Sequence, residues 1–215
     1  MDTRDDKDKE TQKIFKDIEN HILKDDKPSN YINSLYEEGK LQKYPFNMLT
    51  DLKNIEQSPK YHPEGSVWNH IMMVLDNGAS KREKSENKRI FMWACLLHDI
   101  GKGTTTKVRK GRITSYNHDK EGEKLSVKFL KCFTEDDEFI KGVSKLVRWH
   151  MQPLFVNKNL PFKDIETMAK EVSIKEIALI SLCDRLGRGG MSKEKREEEI
   201  KAVELFVERC SKYIQ

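Results

Sequence analysis

The sequence predicts an all-α fold with one short β-hairpin inserted between two helices. Apolar residues recur at three- and four-residue spacing over most of the chain, and only one stretch is rich in β-branched residues around a turn. Strands never alternate with helices in the way a doubly wound sheet requires. The 215 residues suffice for one domain with a small N-terminal extension. With 36% hydrophobic and 35% charged residues, the surface must be heavily solvated. No apolar run approaches the roughly 18 residues of a membrane span, and the opening MDTRDDKDKETQK lacks the apolar stretch of a secretory signal. A cytoplasmic protein without a membrane partner is therefore expected. The four cysteines form no CxxC pair, and Cys95 and Cys183 lie in apolar segments, as small buried hydrophobes do in a reducing compartment. The formal charge of +4, from 40 basic and 36 acidic residues, tolerates an anionic substrate without demonstrating nucleic-acid binding.

Residues 1–10 are almost all charged and are expected to be disordered, and 11–59 to form a helical extension. Ile14, Phe15, Ile18, Ile22 and Leu23 define an amphipathic helix over 11–23, and a second begins near Ser29 with Tyr31, Ile32, Leu35 and Tyr36. Pro63 and Gly65 precede Ser66, a cap for a helix that places His70 on one face with Val67, Ile71 and Val74. The apolar run IFMWACLL predicts the next helix, which ends at His98 and Asp99 before Gly101 and Gly103. TTTKVRKGRITSY around Lys110-Gly111 predicts the hairpin. Helices follow over 118–132 and 134–149, the second leading directly into His150, and 151–161 reads as irregular because of Pro153 and Pro161. In SIKEIALISLCDRLGRG, Ser173 and Glu176 have capping-box spacing, and Gly187 with Gly189 closes the helix. Residues 191–215 form a charged tail helix whose Val203, Leu205, Phe206 and Val207 pack on the outside.

The chemistry is carried by an ordered set: His70, the adjacent pair His98 and Asp99, His118, His150 and Asp184. Taken alone, a histidine on an apolar face, such as His70, is more often a hydrogen-bonded core residue than a ligand. Together, four imidazoles and two carboxylates exceed what a core needs. A buried carboxylate is costly to keep ionised unless a cation or donors compensate it. Asp99 and Asp184 with His70 and His98 make a mixed nitrogen and oxygen set, suited to manganese, iron, cobalt, nickel or magnesium more than to a thiolate-rich structural zinc site. With Asp99 as a bridge, His118 and His150 either hold a second ion or contact phosphate and shuttle protons, so one or two divalent ions are expected. Lys102 is the first choice for a phosphate-binding cation, followed by Arg109 on the hairpin, Arg148 beside His150 and Arg185 beside Asp184. Neither a GxxxxGK[ST] loop nor a GxGxxG fingerprint accompanies them.

The phrases SVWNHIMMVLD, LLHDIGKG and ISLCDRLGRG resemble the HD superfamily of metal-dependent phosphohydrolases over residues 60–190. YHPEGSVWNH, LLHDIGKGTTT and YNHDKEGEKL followed by LVRWHMQP are particularly similar to the HD domain of bacterial tRNA nucleotidyltransferases. The resemblance implies an HD-domain helical bundle, metal ligation by His70, His98, Asp99 and Asp184, and a second ion at His118 and His150 in binuclear members. It also implies hydrolysis of phosphomonoesters, 2',3'-cyclic phosphodiesters or nucleotides. Too few residues precede position 60 for the nucleotidyltransferase domain, so nucleotide addition is not expected. The expected function is metal-dependent hydrolysis at a nucleotide or nucleic-acid end. Asp99 would orient water, Lys102 would offset charge and His118 would move protons. The alternatives are a nucleotidase or nucleoside triphosphate hydrolase, and a non-catalytic RNA-binding or regulatory module. Expected partners are a phosphorylated small molecule or nucleotide, with RNA open; the oligomeric state is not legible.

Overall fold

Helix α5, Lys88–Leu97, is apolar on every side, and Phe91 through Leu97 are all buried, so it forms the axis around which the rest packs. The computed structural model describes residues 4–213. Helix α1, Arg4–Lys24, lays Ile14, Phe15, Ile18 and Ile22 against this axis, and Phe15 stacks between Trp93 (4.5 Å between centroids) and Phe133 (4.3 Å). The disorder expected over residues 1–10 gives way to helix from Arg4, while residues 1–3 lie outside the described residues. Extending an existing helix backward needs no new nucleus.

Helix α2, Pro28–Glu37, starts on a proline, whose missing N–H is no loss there. Its N-terminus is held by Asp76, which accepts from the Ser29 backbone N–H (3.1 Å) and hydroxyl (2.8 Å). A short α3, Asn47–Thr50, and a 3-10 turn, Asp51–Asn54, bury Leu49 and Leu52; neither is long enough to show a periodicity. Helix α4, Val67–Ala79, is capped by Ser66 as expected, the hydroxyl accepting from Asn69 N–H at 3.3 Å.

After α5 the chain makes one helical turn, α6 (Lys102–Thr105), and then the predicted hairpin, β1 (Lys107–Arg109) paired antiparallel with β2 (Arg112–Thr114). Lys110 and Gly111 both have positive φ, 49° and 71°, as a two-residue turn of this hand requires. Helices α7 (His118–Leu130) and α8 (Asp137–Trp149) pack on each other and on the axis. Residues 151–161 are not wholly irregular: α9 spans Gln152–Asn157, because Pro153 stands in its first turn, where a proline is tolerated. Helix α10, Ile165–Glu171, was too short to be read from the pattern.

Helix α11, Ile174–Leu186, begins at Ser173, but the capping box does not form. Ser173 donates instead to Glu86 (2.9 Å), and Glu176 accepts from the Glu86 N–H (2.9 Å) and the Ser85 hydroxyl (2.7 Å). The buried Glu176 satisfies the loop leading into α5, a larger need than a cap that solvent can supply. Helix α12, Lys193–Arg209, packs on α9 and α11 through Val203 and Phe206, while Leu205 remains exposed. Cys95 and Cys183 are buried. No described helix is long and apolar enough to cross a membrane.

One close approach positions the polar centre. Gly101 has an ordinary helical φ of −66°, so it is not there to break the helix. A Cβ at this position would lie 2.1 Å from the His118 carbonyl oxygen and 2.6 Å from Gly122 N. The corner after His98 and Asp99 is thereby pressed onto the first turn of α7. Gly101→Ala is expected to cost about 3 kcal/mol through this overpacking, measured as a lower urea midpoint at unchanged m-value.

Candidate metal centre

Three of the histidines use the same local device. His98 and His150 occupy the ends of α5 and α8, and each turns its Nδ1 back onto the carbonyl three residues earlier, Cys95 O at 2.9 Å and Val147 O at 2.6 Å. His118 does the same to Ser115 O at 2.8 Å. A carbonyl only accepts, so Nδ1 carries the proton in all three rings and Nε2 is left with its lone pair. The device also satisfies helix-end carbonyls that would otherwise be orphaned.

The three Nε2 atoms converge on one carboxylate, Asp99, which is 2% exposed. Asp99 Oδ2 lies 3.3 Å from His98 Nε2 and 3.8 Å from His70 Nε2, while Oδ1 lies 3.5 Å from His118 Nε2 and 3.9 Å from His150 Nε2. Each oxygen thus faces its own pair of imidazoles. The His118 and His150 Nε2 atoms stand 3.3 Å apart, and His98 Nε2 is buried without a hydrogen-bond partner. Nitrogens and carboxylate oxygens brought this close could hold a cation, and three groups among the described residues have ligand atoms within 4.8 Å: His70 with His98 and Asp99, Asp99 with His118 and His150, and His62 with Glu64 and His70.

His70, fully buried on α4, is held between two carboxylates, Nδ1 against Glu64 Oε1 (2.9 Å) and Nε2 against Asp184 Oδ1 (3.0 Å). Glu64 also accepts from His62 Nδ1 (2.8 Å) and the Gly189 N–H (3.0 Å), the arrangement of an outer-shell carboxylate orienting a ligating imidazole. Lys102 completes the centre, its ammonium 2.7 Å from both Asp99 Oδ2 and Gln57 Oε1.

Charge balance follows from these contacts. Burial works against ionisation of Asp99, but Lys102 and the surrounding histidines outweigh it and hold the carboxyl well below the usual range. Burial likewise opposes an ionised Asp184, and His70 and Arg188 outweigh it. Burial pushes the His118 pKa down, with Lys102 adding to the effect; burial and the neighbouring His118 and His98 bring His150 to about 4. Both rings are therefore neutral, as ligands must be. His70 goes the other way: burial opposes its charge, but Asp184 and Glu64 raise its pKa.

The structure brings together His70, His98, Asp99, His118, His150, Asp184 and Lys102. It does not bring Arg109 or Arg148 to them. Arg109 is exposed on β1, and Arg148 is committed to Asp119 (2.6 Å) and Glu123 (3.8 Å) while lying over the Trp149 ring. Arg185 lines a cleft of about 600 Å³ that reaches His150 and Asp184, but it is bonded to Glu199. Glu64, Gln57 and Arg188 escaped the sequence reading. The first two sit in connecting segments with no periodicity to mark them, whereas Arg188 follows Asp184 by four residues, a spacing that places both on one side of a helix end.

The HD domain family model matches residues 67–189, more than half of the chain. The Multifunctional CCA protein of Polaromonas naphthalenivorans is 40% identical over 83 residues, covering 39% of this chain and 18% of that protein. Proteins of the same name from Mannheimia succiniciproducens and Pasteurella multocida are 28% and 25% identical over 188 and 190 residues, each covering 83% of this chain and 43% of the relative. The chain spans less than half the length of these curated relatives.

Acid should loosen this centre in the metal-free protein. His118 and His150 have lowered pKa values, so the unfolded chain binds more protons than the folded one below about pH 6.5, and stability falls toward pH 4. The depressed Asp99 and Asp184 extend the loss as pH falls below their ordinary value of 3.8. His70, with its raised pKa, opposes the trend, its contribution being complete below 6.5 and lost as pH rises through its folded value. Scanning calorimetry of chelator-treated protein should show Tm dropping by about 5 °C or more from pH 7 to pH 4.

Proposed function

The chain belongs to the HD domain family, and we propose that it is a metal-dependent phosphohydrolase that hydrolyses a phosphomonoester or 2',3'-cyclic phosphodiester at a nucleotide or nucleic-acid end. The observation that carries the proposal is the convergence of the His98, His118 and His150 Nε2 lone pairs on the two oxygens of Asp99, beside a cleft lined with cations. His70, His98, Asp99 and Asp184 would hold one divalent cation, and Asp99 with His118 and His150 a second. A cation so held lowers the pKa of water and polarises a phosphoryl oxygen.

The remaining steps belong to the protein's own groups. Lys102 has three N–H donors, and Asp99 and Gln57 take two, which leaves one for a phosphoryl oxygen. Asp99, acceptor-only when ionised, orients the attacking water. With one cation bound, the neutral His118 Nε2 is the imidazole placed to take the proton that the attacking water releases and return it to the leaving oxygen, since its side chain is 11% exposed against 1% for His150. Glu64 keeps the His70 ring from rotating by holding its Nδ1.

Metal analysis after manganese loading and desalting should give about two equivalents for the wild type, about one for His118→Ala or His150→Ala, and well under one for Asp99→Ala. Turnover of 2',3'-cyclic nucleotides and nucleoside monophosphates should fall at least about 100-fold in Asp99→Ala. Separating free phosphate, ring-opened monoester and pyrophosphate products identifies the bond broken. Retention of full metal content and turnover in Asp99→Ala would falsify the proposal.

A further inference from the structure

The cations around the cleft are not equivalent. Arg185 is bonded to Glu199 and to the Ser181 hydroxyl (3.3 Å), and Lys195 to Glu198 (2.9 Å) and Glu199 (3.5 Å). Lys102, committed largely to Asp99 and Gln57, does not line the cleft; Lys60 and Lys158 do, but both are exposed and their ammonium groups can stay in water. Arg188 lines the same cleft and its charge favours the ionised Asp184, yet among the described residues it makes no hydrogen bond and no ion pair within 4 Å, and its Nε is buried without a hydrogen-bond partner. A buried donor on a charged group left without an acceptor is costly, so an acceptor is missing. A cation beyond the end of α11 also suits the helix dipole, but that benefit would be had with the guanidinium turned into water.

Its surroundings say which acceptor fits. Arg188 stands four residues beyond Asp184, and the chain between them is fixed by Gly187, where a Cβ would meet Val74 at 2.6 Å. Asp184 and His150 line the same cleft, so an anion lying against Arg188 is beside the ligand set. A guanidinium presents a planar fork of donors that matches two oxygens of one phosphoryl group. Met151, Leu154 and Met191 give the cleft an apolar side on which the organic part of an ester can rest.

We propose that Arg188 is the phosphoryl anchor of the cleft, binding the substrate's phosphate by a two-point contact while the metal ligands work on the same group. The inference rests on the phosphohydrolase reading, because it takes the anion in the cleft to be the reacting phosphate. Arg188 then decides for phosphate esters over neutral esters, a task that the paired Arg185 cannot share without giving up Glu199.

The test is calorimetric titration of inorganic phosphate into manganese-loaded protein. Arg188→Gln should weaken binding at least about tenfold and Arg188→Lys less, since an ammonium keeps the charge without the fork. Arg196→Gln, exposed on α12 and outside the cleft, should bind as the wild type does. Metal content should be the same in all four proteins, and circular dichroism should report the same helicity. Under turnover, Arg188→Gln should raise KM more than it lowers kcat. Equal phosphate affinity in wild type and Arg188→Gln, or no binding to the wild type, overturns the inference. Arg188-dependent phosphate binding without hydrolysis of any phosphoester leaves the anchor standing and removes the hydrolase reading; hydrolysis indifferent to Arg188 does the reverse.

Discussion

The centre depends on one electrostatic constraint: the Asp99 carboxylate is buried among the Nε2 lone pairs of His98, His118 and His150, which crowd it and one another. Such a group of acceptors repels itself unless something positive lies among them. Lys102 supplies part of that charge through Oδ2, and the raised pKa of His70 supplies more on the Asp184 side. Among the described residues no comparable positive group reaches the Oδ1 side, where the neutral His118 and His150 stand 3.3 Å apart. That asymmetry is why the His118 and His150 pair reads as a ligand pair and not as a decoration of the first site.

The fold serves the constraint through helix ends. His98 and His150 finish α5 and α8, and His118 begins α7, so three elements deliver their termini to one place. Termini can approach so closely because Gly101 and Gly122 carry no side chains: a Cβ on Gly101 would strike the backbone of α7, and one on Gly122 would come within 3.0 Å of Val147. Backbone carbonyls then fix each ring's tautomer, so the ligand geometry is built into the main chain and not left to rotatable side chains.

Much of this was legible because the relevant signals are local. The 3.6-residue periodicity placed α1, α2, α4, α5, α7, α8 and α11, and a polar pair at the end of an unbroken apolar helix marked His98 and Asp99. What was not legible is non-local. Glu176 has the spacing of a cap yet serves a loop some ninety residues earlier, contacting Ser85 and Glu86. Arg148 and Arg185 adjoin the candidate ligands His150 and Asp184 in sequence, but their charges are consumed by Asp119 and Glu199, partners that no spacing rule links to them. Arg188 was overlooked because being unpaired is visible only when every potential partner has a position.

The most direct measurement is anomalous diffraction from crystals of the manganese-loaded protein. Two peaks, one on each side of the Asp99 carboxylate and within bonding distance of His98 Nε2 and His150 Nε2 respectively, are the predicted result. Anomalous density absent from Asp99, or confined to His62 and Glu64, would contradict the account.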